Sequence, residues 1–149
     1  MIRMIILAAL IGTSCAGSAS QVEVKGDDSS ALALAGDWEG TYVGVDSGRQ
    51  GTIRFSLTAG HHTAEGVVMM FVEGTTGEPQ PLAIEFVEVE KGGGLSGKIG
   101  AYTDPQCQCQ VQTEFLGDFE GNDAISGTFT THELDGQRQQ SGRWSIVRK

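Results

Sequence analysis

The sequence predicts an all-β domain, an eight-stranded antiparallel up-and-down barrel, with a two-sheet β-sandwich as the alternative. Three observations carry this. Apolar and polar residues alternate with period two through most of 37–146. Glycine makes up 22 of the 149 residues against 3 prolines, about twice the usual ~7 % and without a collagen period, which implies many short turns. No window offers a helical period of useful length.

The elements follow in order. In 37–45, Trp38, Gly40, Tyr42 and Gly44 share one face and Asp37, Glu39 and Thr41 the other. In 51–58 the inner set is Ile53, Phe55 and Leu57, with Thr52, Arg54 and Ser56 outward. Strands 65–73 and 82–90 are apolar on both faces, and the second slips phase between Phe86 and Val87, as a bulge would make it. Strand 95–102 groups Leu95, Gly97 and Ile99, and 109–120 alternates Val111, Thr113 and Phe115 against Gln110, Gln112 and Glu114. Gly121-Asn122-Asp123 turns the chain into 124–131, where Ile125, Gly127 and Phe129 face inward. Asp135-Gly136 is a hairpin signal before Gly142, Trp144 and Ile146. A meander of such strands closes most simply into a barrel, because closure removes unpaired edges. Alternate loops then share an end: the longer ones, near 46–50, 74–80, 103–108 and 133–137, form one rim. The tight turns at 59–63, 91–93 and 121–123 form the other, together with the chain start at Asp37.

Ahead of the domain, Arg3 precedes the apolar run 4–11 and the small residues Gly12, Thr13 and Ser14. Eight apolar residues are too few to span a hydrocarbon core, which needs ~20, so the segment reads as a bacterial export signal that is removed. Thr13-Ser14-Cys15 resembles the lipobox of bacterial lipoproteins, which is cut before a lipid-carrying Cys; Gly12 stands where that box has Leu. Ordinary cleavage after Ser18-Ala19-Ser20 is the alternative. The expected organisation is a signal peptide at 1–14, a flexible Ser-, Gly- and Asp-rich tether at 15–31 and the barrel at 32–149. Lipid on Cys15 would anchor the protein in the bacterial cell envelope; the alternative is a soluble periplasmic or secreted protein. The tether is expected to leave from the tight end, so that the mouth opens away from the membrane. The formal net charge of −9 excludes nucleic acid as a partner, since binding it depends on contacts from Lys and Arg.

Gly36-Asp37-Trp38 resembles the G-x-W of the lipocalin and avidin barrels, the calycins. That resemblance implies that Trp38 packs under the barrel floor beneath a basic residue of the last strand, supplied by Arg143 or Arg148 as a cation–π partner. The second lipocalin motif, T-D-Y, is absent, because Thr103-Asp104 is followed by Pro105, and the Trp-rich biotin site of avidins has no counterpart. Ligand identity is therefore not carried over.

Cys107-Gln108-Cys109 is the most suggestive chemistry. Lipidation occupies Cys15 or cleavage discards it, leaving these two to pair in an oxidising compartment. Extended i and i+2 positions sit near or beyond the ~6.8 Å limit for bridged Cα atoms, so a disulfide requires a sharp bend at Gln108, which Asp104-Pro105 makes accessible. A loop lock, two passive thiols, and a redox or metal-responsive role are the readings. His61-His62 belong to the tight end and the Cys pair to the other rim, so topology argues against a shared metal. His132-Glu133 points to opposite faces of a strand. No G-x-S-x-G, H-E-x-x-H, phosphate-cradling loop or dinucleotide fingerprint is present. No catalytic residue, metal or cofactor is expected.

Two functions follow. The first is a binding module whose apolar lining, Trp38, Tyr42, Phe55, Phe115, Phe129 and Trp144, encloses a small hydrophobic ligand, with Trp38 structural and the other five ligand-binding. Inward Gly40, Gly44, Gly97, Gly127 and Gly142 either make that space or merely admit the rings. The second is a protein-interaction or structural envelope module. It would use an outward stripe of Val67, Met69 and Phe71, extended by Val87 and Val89 and covered by a second copy, an envelope protein or the chain's own Leu32 and Leu34.

Overall fold

The computed structural model describes residues 19–72, 74 and 76–149, so the predicted leader and Cys15 lie outside the described residues. In chain order the elements are β1 (Ser20–Lys25), α1 (Asp28–Leu34), β2 (Gly36–Gly44), β3 (Arg49–Leu57), β4 (Thr63–Val72), β5 (Gln80–Leu82), β6 (Ile84–Val89), β7 (Gly94–Thr103), β8 (Gln110–Glu120), β9 (Ala124–Glu133) and β10 (Gln139–Arg148). The period-two pattern becomes a continuous wall, β1-β6-β7-β8-β9-β10-β2-β3-β4, which closes because β4 pairs back onto β1. This is a closed barrel, not a sandwich. Neighbours are antiparallel except β1 and β6, which run parallel.

The eight predicted strands are all present, and β1 is the addition. It lies within the stretch read as a flexible tether, which from Ser20 onward is part of the barrel. Gln21-Val22-Glu23-Val24-Lys25 is a short alternation that buries Val22 and Val24 completely or nearly so. Its place follows from a divergence in the wall. β5 pairs with Val68 to Met70 of β4, the chain then leaves β4 after Leu82, and β1 fills the gap between the lower half of β4 and β6. Ser20 pairs with Gly66, partway up β4. The chain therefore enters through the side of the barrel rather than from its tight end as expected.

The phase slip in the fourth predicted strand falls one step earlier than the sequence implied, between Ile84 and Phe86. Val87 and Val89 consequently face the core, while Phe86 turns outward beneath the Lys25 ammonium, 4.0 Å from its ring centroid. The stripe predicted on the outer face thus loses both valines.

At the tight end, α1 plugs the barrel. Asp27 caps it by accepting from Ser30 N at 2.8 Å, which holds the Asp27 carboxyl well below its ordinary range, mainly through that backbone bond. Ala31 and Leu34, three residues apart, share the face turned to the core and are buried. Trp38 follows at 1 % exposure, its Nε1 donating to Leu34 O at 2.8 Å and its ring edge-on to Phe119. The basic partner is Arg148, whose guanidinium carbon lies 4.3 Å from the Trp38 ring centroid. Arg143 is exposed on the outer face of β10 instead. Arg148 also donates to Ala35 O, to Ala33 O at 3.0 Å and to Asn122 O at 2.9 Å. Gly36, at φ +121°, turns the chain out of the helix, and a Cβ there would meet the Arg148 guanidinium.

His62 is not merely solvated. Its Nδ1 reaches Val24 O at 3.1 Å and its Nε2 the Asp28 carboxylate at 3.0 Å, tying the β3–β4 turn to the β1–α1 corner. Two acceptors suit a doubly protonated ring, and its pKa is raised from 6.5, first by Asp28 and then by the Val24 carbonyl.

Two expectations follow. Trp38→Ala should cost about 3 to 5 kcal/mol in chemical denaturation, the usual scale for truncating a large core ring; wild-type stability would reject the floor assignment. For His62, a folded pKa above the unfolded value contributes stability that is complete below the unfolded pKa and fades as pH rises through the folded one. The denaturation midpoint of wild type should therefore fall between about pH 6 and pH 8 by more than that of His62→Gln.

Candidate functional site

The barrel interior holds a cavity of about 90 Å³ lined by Tyr42, Phe55, Phe115, Phe129 and Trp144, five of the six aromatic residues predicted to form its apolar lining; Trp38 is not among the lining residues. Aliphatic side chains from β3, β4, β6 and β7 complete the wall, and Leu34 of α1 forms its floor. The rings pack edge to face, Tyr42 on Phe129 with centroids 5.6 Å apart and Phe115 on Trp144 at 5.8 Å. Trp144 also donates from Nε1 to Leu116 O and Thr128 O, both at 3.1 Å, so its orientation is fixed by the wall.

Of the glycines predicted to face inward, Gly97 and Gly142 admit rings, whereas Gly44 lies against Ser47. A Cβ at Gly97 would meet the Phe115 ring at 2.1 Å and one at Gly142 the Phe129 ring at 2.2 Å. Gly51 lies likewise against Tyr42, and Gly117 against Trp144. At Gly40 and Gly127 a Cβ would strike the neighbouring strand's backbone. Each large ring thus occupies volume that a glycine on another strand vacates, and the cavity is what the aromatic packing leaves over.

The mouth end of the cavity is polar, which the sequence reading did not anticipate. Arg49, the first residue of β3, is 4 % exposed and Asp104, just beyond β7, is 2 % exposed. Arg49 Nη2 donates to Asp104 Oδ2, and also to Gln106 Oε1 at 3.1 Å. This buried pair spans the mouth, because β3 and β7 stand on opposite sides of the wall. Asp104 organises its own loop as well: Oδ1 accepts from Gln106 N at 2.8 Å, its carbonyl accepts from Gln108 N at 2.8 Å, and its N–H donates to Cys109 O at 2.9 Å. Gln106 Nε2 reaches Ser47 O at 3.3 Å on the far rim. The β7–β8 loop is thereby laid across the opening. One sequence signal pointed to Arg49: it has the same strand parity as Ile53 and Phe55, both assigned inward.

Tyr42 and Arg49 each leave a buried polar atom, Oη and Nε respectively, without a partner among the described residues. Burial, then the nearby Tyr102, push the Tyr42 phenol well above its ordinary range, with Arg49 opposing. Thr113 and Thr131, also on the lining, satisfy one another through a 2.7 Å hydroxyl pair.

Cys107 and Cys109 are at disulfide distance, with Cα atoms 5.1 Å apart. Gln108 between them has φ +56°, the only positive φ at a non-glycine among the described residues, and supplies the required bend. The pair sits on the loop over the mouth, whereas His62 holds β1 and α1 at the floor. Among the described residues no three metal-ligating side chains converge.

The outer stripe is only partly formed. Val67, Met69 and Phe71 take the outward phase of β4, yet Val67 is 8 % exposed and Phe71 alone is open to solvent, at 40 %. Leu34 is inside the barrel and Leu32 stands exposed on α1, so the segment expected to cover the stripe does not. Beside Phe71 the outer wall is mainly Thr, Ser and Gln, with Val43 and Arg143. No broad apolar patch results.

No protein-family model, curated protein or solved structure matches the chain. Function is accordingly argued from this site alone.

If the Cys pair locks the loop, its entropic effect is small, because the closed ring is minimal. Replacing both by Ser should cost about 1.5 kcal/mol or less. A larger loss in denaturation, or free thiols on titration of the unfolded wild type, would reject the loop-lock reading.

Proposed function

We propose that this protein is a non-catalytic cell-envelope lipoprotein, anchored through Cys15, whose calycin-like barrel binds a small hydrophobic molecule in its interior. The observation that carries the reading is the cavity of about 90 Å³, walled by aromatic and aliphatic side chains from most of the strands and floored by Leu34. Apolar pockets with a few placed polar groups are the usual form of small-molecule sites. The placement of Trp38 under Arg148 supports kinship in architecture with the calycins, and the leader with Thr13-Ser14-Cys15 supports the anchor.

Size narrows the ligand. An apolar cavity of ~150 Å³ accommodates benzene, so this one suits a smaller molecule or the end group of a longer one. The lining's Thr113–Thr131 hydroxyl pair is mutually satisfied and its arginine is held by Asp104, which favours a binding role. Retention, rather than turnover, is the activity such a chamber supports.

The reading is tested on the full-length protein by methyl-resolved NMR with 2-methylpropene. Saturable shifts of the Ile53 and Ile99 methyls are expected, and their loss in Ile99→Phe, which fills the cavity. Absence of any saturable shift in wild type would reject ligand binding. Mass spectrometry of the protein purified from its native envelope tests the anchor: a lipid-modified Cys15 at the mature N-terminus is expected, and a mature chain starting downstream of Cys15 rejects it.

A further inference from the structure

From the donors at the mouth end of the cavity we infer that the ligand carries a neutral hydrogen-bond acceptor, such as a ketone, aldehyde or ester oxygen, bound by Tyr42 Oη–H and Arg49 Nε–H. This rests on the binding reading above and specifies its chemistry.

Both residues line this cavity, and both have a buried polar atom with no partner among the described residues. Buried polar groups are nearly always paired, so two orphans on the wall of one mainly apolar chamber call for an explanation. Arg49 decides the polarity of the answer. Its guanidinium has N–H groups only, so whatever meets Nε must accept. The phenol hydroxyl likewise has a proton to donate to a neutral acceptor.

The charge state follows from Asp104. Arg49 already faces a carboxylate buried as deeply as itself, with side-chain exposures of 5 % and 3 %. The pair is neutral as a unit. A second carboxylate brought into the chamber would add an uncompensated charge in a desolvated site, which is strongly unfavourable. The negative field of a chain with net charge −9 opposes its approach as well. A ligand cation would instead meet the N–H groups of Arg49, which offer it donors only. A neutral acceptor completes both hydrogen bonds and leaves the charge balance untouched, while its apolar remainder lies against Phe115, Phe129 and Ile99. The discrimination is therefore built from one orphan N–H whose charge is cancelled elsewhere.

Three molecules of the same trigonal shape separate the possibilities: 2-methylpropene, propanone and acetate, titrated into the full-length protein and followed by NMR shifts of the cavity methyls. Propanone is expected to bind at least as tightly as 2-methylpropene and more tightly than acetate. Tyr42→Phe, whose melting temperature should match or exceed that of wild type because the lost hydroxyl is unpaired, should weaken propanone about 3- to 10-fold, the range of one hydrogen bond. It should weaken propanone more than 2-methylpropene, so that the ratio of the two affinities falls. The tightest binding by acetate would overturn the inference in favour of an anion site. Equal affinity of propanone for wild type and Tyr42→Phe would overturn it by showing that the donors are served otherwise, as by a fixed water. If 2-methylpropene binds and propanone does not, the chamber reading stands and this inference falls; if neither binds, both fall. Should Tyr42→Phe not fold, the ranking of the three molecules on wild type decides alone.

Discussion

The contact on which the barrel depends most is that of Arg148 with Trp38 and the carbonyls around it. One guanidinium covers the indole face and donates to Ala33, Ala35 and Asn122, so it joins the end of α1, the start of β2 and the β8–β9 turn. Each of these would otherwise be a loose chain end: carbonyls at a helix C-terminus lack partners within the helix. The indole below supplies the apolar area, and its own N–H is spent on Leu34 O. Removing the arginine would leave unpaired carbonyls and expose the ring in the same act. The floor is thus a single polar knot on an aromatic base, at the farthest point in sequence from the segment it secures.

A second arginine performs a different task at the opposite end. Arg148 donates mainly to neutral carbonyls and keeps a net charge near solvent, with Asp123 at 3.5 Å. Arg49 is buried against a carboxylate and becomes electrically silent. A buried ion pair is weak evidence for stability, since desolvation offsets most of the attraction. What it does provide is position. The pair fixes a loop from one side of the mouth to the strand on the other, and it leaves Arg49 Nε buried without a partner among the described residues.

Much of the fold was legible because period-two alternation has one physical cause, burial of one strand face, and the barrel buries one face everywhere. The aromatic lining was legible for the same reason: Tyr42, Phe55, Phe115, Phe129 and Trp144 all fall on the inward parity of their strands. What escaped was what parity does not encode. Val22 and Val24 alternate correctly, but a run so short beside Ser, Gly and Asp is indistinguishable from linker until a gap in the wall is known to need filling. The gap itself arises where β6 leaves β4, a tertiary event. In β6 the bulge fell at Glu85-Phe86, one residue from where Phe86-Val87 implied, and a one-residue slip exchanges faces for everything after it. Arg49 was on the inward parity and still overlooked, because a strand-initial arginine ordinarily turns to solvent; only its carboxylate partner, more than fifty residues away, makes its burial possible.

The insertion of β1 gives the wall a seam. Every other staves-and-hoops junction in the barrel joins strands that a turn or a short loop also connects, except β10 with β2. The strip formed by β1 is held by short ladders on both sides, residues 20–23 against β4 and 23–25 against β6. It is also the stave nearest to whatever precedes residue 19 in the chain. Tension applied from upstream would therefore load this strip before any other part of the barrel. A pull that parted those few hydrogen bonds would open the chamber along its side, between β4 and β6, while leaving the floor and the looped mouth closed.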